Sequence, residues 1–270
     1  MPIIVDVAQA SRGREVLAVP GYTRTTREED NYFITMYMGA PPDSARDTLA
    51  YRNDDKTLPQ AYLVEQPPGS TIPAHYHDTD QYQVFINGSA VFGKKPIGPL
   101  TVHFAGGHTP YGPILTQHEA THFFTFRAHW DGGGKPMPEN RPNLQHVRRV
   151  YRLAKEIETE PPASDLAEVI PAEPDGLGTS LFYLDANQQS TVDLPVAGGG
   201  QYALVLEGAV THGDQTLAKH SCVYRFPDEQ ALVLTAGDAG ATVLLLQFPQ
   251  REPLDPLSDR RREAVARQPA

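Results

Sequence analysis

Short runs rich in Val, Phe, Tyr, Leu and Thr recur along the chain, and each is bounded by Gly, Pro, Asp or Asn. Runs of this length between turn formers are typical of β-strands. The pattern therefore predicts strands in both halves of the chain, at NYFITMYM, QAYLVEQ, QYQVFING, LTVHFAG, THFFTFRAHW, TSLFYLD, QYALVLEGAV, CVYRFP, ALVLTA and ATVLLLQF. Many short strands separated by turn residues favour an all-β sandwich or closed barrel.

Helical periodicity is rare by comparison. Residues 143–158 place Val147, Val150, Tyr151 and Ala154 on one side of a short helix, although the same stretch could run extended. The segment DPLSDRRREAVARQ near the end of the chain is the better candidate for a helix. Helix is therefore predicted only at these two places.

The chain repeats itself on either side of a Pro-rich, acidic stretch, residues 158–176, which has no apolar period and is predicted to be a linker. QYQVFINGSAV at 81–91 matches QYALVLEGAV at 201–210. Further on, LTVHFAG matches HSCVYRF and EATHFFTF matches GATVLLLQ, all at an offset of 120 or 121 residues. Three matches in one order at one offset indicate an internal duplication.

Two histidines one residue apart, His75 and His77, occur in the stretch GSTIPAHYHDTDQYQVFING. In a strand both side chains point to the same face, with Cα atoms about 6–7 Å apart. Two such imidazoles can converge on one cation. The second copy has PVAGGGQYALVLEG at the corresponding place and nothing that replaces either histidine. Because the fold does not need the pair, we interpret it as part of a functional site.

The run from Gly69 through His75, His77 and Gln81 to Gly88 resembles the first motif of the cupins, in which Glu usually stands where this chain has Gln81. With the duplication, the resemblance covers most of the chain and implies a bicupin, an all-β fold of two tandem jelly-roll barrels. The implied organisation is an N-terminal cupin barrel with the His-x-His motif (1–145), a connecting segment (146–177), a C-terminal cupin barrel without metal ligands (178–250) and a helical tail (251–270).

The resemblance also implies one divalent metal in the N-terminal barrel, with iron as the first candidate and zinc, manganese or nickel as the others. Cupins commonly hold it on two His, one Glu and a His from a second motif. Here the second motif reads AGGHTPYGPILTQHEATHFFTF, and the usual histidine position falls near Tyr111. His108 lies three residues earlier and His118 lies later, so the fourth ligand is left open between Tyr111, His108, His118 and water.

Gln81 is the other departure from the family motif. An amide oxygen is a neutral and weaker ligand than a carboxylate, so it leaves the charge of a divalent cation uncompensated unless an anionic substrate supplies it. The second copy keeps a glutamine, Gln201, at the corresponding position although it lacks the histidines. Gln81 could therefore be a metal ligand or could hydrogen-bond to the barrel wall.

Two functions follow from the resemblance and these residues. The first is a metal-dependent enzyme acting on a small oxygenated or anionic organic substrate, with dioxygenase, isomerase and lyase reactions as candidates. The alternative is a non-catalytic bicupin that binds or senses a small molecule. Two charged residues in predicted strands, Glu65 and Arg127, are interpreted as wall or solvated residues that could line a pocket. Residues 130–134 are interpreted as a strand end and a flexible loop.

Composition excludes several other classes. The 270 residues carry a net charge of −10, which disfavours nucleic acid as a partner. No stretch approaches 18 uncharged apolar residues, so no membrane span is predicted. Cys222 is the sole cysteine, which favours a reducing compartment, and the N-terminus has no secretory pattern. We expect a cytoplasmic protein with a small-molecule partner, and a homodimer is the assembly considered.

Overall fold

The computed structural model describes residues 1–17, 25, 27–46, 49–145, 147–155, 157–159, 165–194 and 197–250. Within these residues the predicted all-β fold of two jelly-roll barrels is confirmed. The helices are short, namely α1 (Val7–Ser11), α2 (Asp43–Arg46) and two 3₁₀ turns, Glu28–Asp30 and Arg141–Asn143. No helix in the described ranges is long and apolar enough to span a membrane. The tail, 251–270, with its predicted helix lies outside the described residues.

The strands before residue 155 belong to the N-terminal barrel, with the exception of the first. They are β1 (Ile3–Val5), β2 (Arg14–Val16), β3 (Phe33–Met38), β4 (Gln60–Gln66), β5 (Thr71–Ile72), β6 (His75–Tyr76), β7 (Gln81–Asn87), β8 (Ala90–Phe92), β9 (Lys95–Ile97), β10 (Thr101–Ala105), β11 (Ile114–Thr116), β12 (Thr121–Arg127), β13 (Lys135–Pro136) and β14 (Tyr151–Ala154). The main sheet has the order β14-β10-β7-β12-β4-β3-β2, and smaller sheets pair β5-β11-β8-β9 and β13-β6. Strand β1 is the exception, because it leaves this barrel.

The second half forms one eight-stranded sheet. Its own strands are β15 (Leu166–Ile170), β16 (Gly178–Leu184), β17 (Gln189–Val192), β18 (Gln201–His212), β19 (Gln215–Ala218), β20 (Cys222–Arg225) and β21 (Leu232–Gln247). The order is β1-β20-β18-β21-β16-β15, with β17 on β21 and β19 on β18. Strand β1 therefore crosses from the N-terminus to the C-terminal sheet, where Ile4 pairs with Val223.

The stretch between the barrels contains two strands in its described part. Strand β14 lies inside the segment for which the sequence left helix and extended chain open, and it pairs with β10 of the N-terminal sheet. Strand β15 pairs instead with β16 of the C-terminal sheet. This segment thus contributes one strand to each sheet.

The register of the sheets shows the duplication at residue level. Tyr82 on β7 pairs with Phe126 on β12, and Tyr202 on β18 pairs with Leu246 on β21. The offset is 120 residues in both pairs, one less than the sequence match for the last strand. Equivalent residues therefore differ by 120 along these strands.

The closing glycine of the cupin-like motif serves this shared backbone. Gly88 and Gly208 are equivalent and have φ values of +73° and +71°, which side-chain-bearing residues rarely adopt. A Cβ atom at either position would overlap a carbonyl oxygen on the facing strand, that of Ala120 or Gly240. The glycine is therefore a requirement of the fold in each barrel.

The two barrels share one apolar core, in which aromatic rings of β7, β10 and β12 meet residues of β18, β20 and β21. Two equivalent tyrosines cross it. The Tyr82 hydroxyl donates to the Gln247 carbonyl at 2.8 Å, and the Tyr202 hydroxyl donates to the Arg127 carbonyl at 3.0 Å. Gln247 and Arg127 are themselves 120 residues apart, so the contact is two-fold symmetric.

Candidate functional site

A cavity of about 240 Å³ opens inside the N-terminal barrel. Most of its wall is apolar and includes Ile34, Val64, Ile114 and Phe123. Buried polar side chains also reach it, among them His75, His77, Gln81, Tyr111 and Arg127. An apolar cavity with a few convergent polar groups is the usual form of a small-molecule site.

The two histidines converge as the sequence predicts. Both are buried, and their ring centroids lie 5.2 Å apart. The His75 ring is oriented by the carbonyl of Pro73, 2.7 Å from its Nδ1. A carbonyl only accepts, so Nδ1 carries the proton and Nε2 is the acceptor of the neutral ring. Gly134 lies against this ring, where a Cβ atom would come within 2.8 Å of Cδ2.

Tyr111 faces His75 directly, because their backbones form an antiparallel bridge with N–H···O distances of 3.1 and 3.0 Å. Their rings lie 4.5 Å apart. The Tyr111 hydroxyl accepts a hydrogen bond from the Gln81 amide. Burial raises the pKa of Tyr111, so the phenol is protonated at neutral pH. The structure thus brings His75, His77, Gln81 and Tyr111 together.

The other two histidines considered for the fourth ligand lie elsewhere. His108 contacts the ring of Tyr76 at a centroid distance of 5.4 Å, and its Nε2 lies 3.7 Å from Asp78. Tyr76 stands between His75 and His77 in sequence and therefore points to the opposite face of the strand. His118 is exposed in the loop before β12. Neither is among the residues that line the described cavity.

Arg127 is the residue whose role the sequence did not show. It is fully buried at the end of β12, where Phe123 and Thr125 of the same strand also line the cavity. Its Nη2 donates to Gln81 Oε1 at 2.7 Å and lies 3.2 Å from both ring nitrogens of His77. The period of two along β12 was the available signal, since it places these three residues on one face.

Asp131 supplies the opposite charge. Its Oδ1 accepts from His77 Nδ1 at 2.7 Å and from the Gly133 backbone N–H at 2.8 Å, and its Oδ2 accepts from the Asp78 N–H at 3.0 Å. Burial opposes ionisation, but His77 and Arg127 outweigh it and hold the pKa of this carboxyl below its usual range. The loop at 130–134, interpreted from sequence as flexible, therefore carries a buried carboxylate.

Burial also decides the charge of the histidines. It lowers the pKa of His75 to about 4 and that of His77 to about 3, and the positive charge of Arg127 acts in the same direction. Both imidazoles are therefore neutral at pH 7. We refer to His75, His77, Gln81, Tyr111, Arg127 and Asp131 as the cluster. It then contains one cation, Arg127, and one anion, Asp131.

This set of side chains does not fit a resident divalent metal while Arg127 stays in place. The described residues contain no group of three or more His, Cys, Asp or Glu side chains suited to one metal ion. The predicted ligands are neutral, and a guanidinium contacts His77 and Gln81. Unit charges 4 Å apart repel by about 4 kcal/mol at an effective dielectric of 20, and a divalent ion would experience about twice that.

Comparison with solved structures agrees with the fold. The bacterial pirin YhhW from Escherichia coli in complex with nickel(II) is 11% identical, covers 93% of this chain and 100% of its own, and has a TM-score of 0.60. A putative dioxygenase from Nostoc punctiforme is 13% identical over 91% of this chain and 82% of its own, with a TM-score of 0.52.

A salicylate 1,2-dioxygenase from Pseudaminobacter salicylatoxidans is 11% identical and covers 98% of this chain and 86% of its own, with a TM-score of 0.52. No family model matches the sequence, and no curated protein matches it. At these identities the likeness concerns the fold, and it extends over both barrels. The chain thus has the fold of two tandem barrels that these structures share, as the resemblance to the cupins predicts.

Proposed function

We propose that the cavity of the N-terminal barrel binds a small oxygenated or anionic organic molecule. The observation that carries this proposal is the asymmetric placement of two charges. Arg127 lines the cavity, whereas Asp131 lies behind His77 and is not among the lining residues in the described part of the chain. A ligand in the cavity therefore meets the positive side of the pair.

The size of the cavity limits the ligand. About 240 Å³ corresponds to about eight water molecules at roughly 30 Å³ each. This is below the range of drug-sized sites, so the ligand is a small molecule with an apolar body. His75 Nε2 can accept a hydrogen bond from such a ligand, and Arg127 favours a carboxylate or another oxygen-centred negative charge.

The test compares carboxylates of three to ten non-hydrogen atoms, each beside its neutral amide, such as benzoate beside benzamide. Calorimetric titration and melting temperature should show that a carboxylate binds and its amide does not. The Arg127→Met variant should lose this preference, while Arg225→Met in the C-terminal barrel should keep it. A panel in which no carboxylate binds better than its amide would contradict the proposal.

A metal-dependent reaction, with a dioxygenase reaction among the candidates, is the second candidate function. The observation that favours it is the convergence of His75 and His77 on the cavity. The names of similar structures, two dioxygenases and a nickel(II) complex, point the same way. This function requires the guanidinium of Arg127 to leave its present position.

Elemental analysis of protein purified without chelator or His-tag separates the two candidates. One equivalent of iron, zinc, manganese or nickel per chain supports the second candidate, and oxygen uptake with iron supports a dioxygenase. Protein with a substoichiometric metal content and a carboxylate preference supports the first.

A further inference from the structure

We propose that Arg127 replaces the metal ion of the N-terminal barrel. Its guanidinium, and not a divalent cation, is the positive charge around which His77, Gln81 and their neighbours are arranged. The inference goes beyond the proposed function, because it concerns what the site excludes and not which ligand it takes. Three observations carry it.

The first observation is that buried acceptors contact both terminal nitrogens of the guanidinium. Nη1 donates to Gln60 Oε1 at 2.6 Å and to the Tyr62 hydroxyl at 2.9 Å. Nη2 donates to Gln81 Oε1 at 2.7 Å and contacts the His77 ring. A planar cation with fixed donor directions is well suited to such buried positions. The oxygen of Gln81 that would face a metal is thus bonded to Arg127.

The second observation is the balance of buried charge. Asp131 is buried and ionised, and it reaches Arg127 through the His77 imidazole. The cluster is neutral with these two groups alone. A divalent cation between His75 and His77 would leave an excess of two positive charges in a buried site, and buried charge is stable only when it is paired.

The third observation comes from the duplication. Gln201 is equivalent to Gln81, and it also accepts a hydrogen bond from an arginine, Arg225 Nε at 2.9 Å. The two arginines come from different strands, since Arg225 lies on β20 and Arg127 on β12. Arg225 in turn pairs with Asp193 at 3.0 Å. A glutamine that accepts from an arginine therefore occurs in both barrels. The arginine pairs directly with an aspartate in the C-terminal barrel, and in the N-terminal barrel it reaches one through the His77 imidazole.

The role of Gln81 follows from this comparison. The glutamine is retained in both copies because it accepts from a guanidinium. The position of Arg225 is taken in the N-terminal barrel by Ala105, because Ala105 pairs with Gln81 as Arg225 pairs with Gln201. The position of Arg127 is taken in the C-terminal barrel by Gln247. The difference between the barrels is thus the strand that supplies the arginine.

The test is a titration with Co²⁺, whose visible absorption bands report histidine ligation. Wild-type protein should bind well under one equivalent. The Arg127→Met variant, which removes the charge and keeps a long side chain, should bind one equivalent at least about a hundredfold more tightly. Adding His75→Ala and His77→Ala to this variant should abolish the bands, and Arg225→Met alone should gain no site.

Gln81→Glu in the wild-type background keeps the inference testable if Arg127→Met does not fold. Glu at position 81 should pair with Arg127, so the melting temperature should be maintained or rise, and Co²⁺ affinity should stay within about threefold of wild type. One tight equivalent in the wild type, or a gain of ten-fold or more in Gln81→Glu, would overturn the inference. These readouts are independent of the carboxylate panel, so either proposal can fail alone.

Discussion

Asp131 balances the buried guanidinium of Arg127, although the two groups are joined only through the His77 imidazole. We predict that Asp131→Asn lowers the free energy of unfolding by about 3–5 kcal/mol, because it leaves a buried cation without its counter-charge. Urea denaturation at pH 7 measures this loss. The matched control is Asp43→Asn, which removes an exposed pair with Lys56 and should cost about 1 kcal/mol or less. Equal losses in both variants would contradict the role of Asp131.

Neutral histidines in the barrel make its stability depend on pH. Burial lowers the pKa of His75 to about 4 and those of His77 and His103 to about 3. The unfolded chain takes up these protons below about pH 6.5, whereas the folded chain does not until its lower pKa values are reached. Stability should therefore fall as the pH falls from about 6.5 to 4, by up to about 1.4 kcal/mol per pH unit for each histidine.

His103 offers the cleanest test of this slope, since its ring lies among Phe92, Tyr111 and Tyr151. We predict that His103→Phe reduces the slope between pH 6 and 4 by about 1.4 kcal/mol per pH unit. Denaturation midpoints at half-unit pH steps measure the slope. Thr216→Ala, at an exposed position without a titratable side chain, should leave it unchanged. An unchanged slope in His103→Phe would show that this histidine is protonated in the folded chain.

Local pattern was enough to predict the first residues of the site. A period of two placed His75 and His77 on one face, and the motif spacing pointed to Tyr111. The contacts of Arg127 could not be predicted, because its partners lie 46 to 67 residues away and depend on the pairing of β12 with β4 and β7. Asp131 was missed because the glycine-rich stretch 130–134 was interpreted as a strand end and a flexible loop, whereas here the loop folds back onto His77.

At the scale of elements, the loop between β12 and β13 contacts both histidines, through Asp131 at His77 and Gly134 at His75. Gly134 is in van der Waals contact with the His75 ring, and a Cβ atom there would approach Cδ2 to 2.8 Å. We predict that Gly134→Ala displaces this ring and costs about 1–3 kcal/mol of stability. Carboxylate affinity, measured by calorimetric titration, should fall as well. Gly98→Ala is the control, since a Cβ there meets nothing within 4 Å. Unchanged affinity in Gly134→Ala would mean that His75 does not depend on this loop.

Strand positions were predictable because hydrophobic runs and turn residues are local signals. The stretch 143–158 was ambiguous for the same reason, as its apolar residues fit either period. Pairing with β10 decides for the strand β14, and a single sequence carries no information on that partner. The crossing of β1 to the C-terminal sheet was equally out of reach, since Ile3–Val5 pairs with residues more than two hundred positions away.

At the scale of the whole molecule, the barrels are joined in three ways. They share one apolar core, β1 lies in the opposite sheet, and Tyr82 and Tyr202 donate hydrogen bonds across the interface. Contacts of this extent couple the stability of one barrel to that of the other. The chain should therefore unfold as one cooperative unit, although its sequence is a duplication.

Two spectroscopic signals that report on different parts of the chain test this coupling. Trp130 is the sole tryptophan and lies in the N-terminal barrel, whereas far-ultraviolet circular dichroism reports both barrels. We predict coincident urea transitions by the two probes. Tyr202→Phe leaves the Arg127 carbonyl without its hydroxyl donor and should shift both transitions equally, by about 1–3 kcal/mol. The control is Thr216→Ala on β19, an exposed edge position of the C-terminal barrel, which should move neither by more than about 0.5 kcal/mol. A Tyr202→Phe variant in which the Trp130 transition stays in place while the dichroism transition splits would show that the barrels unfold independently.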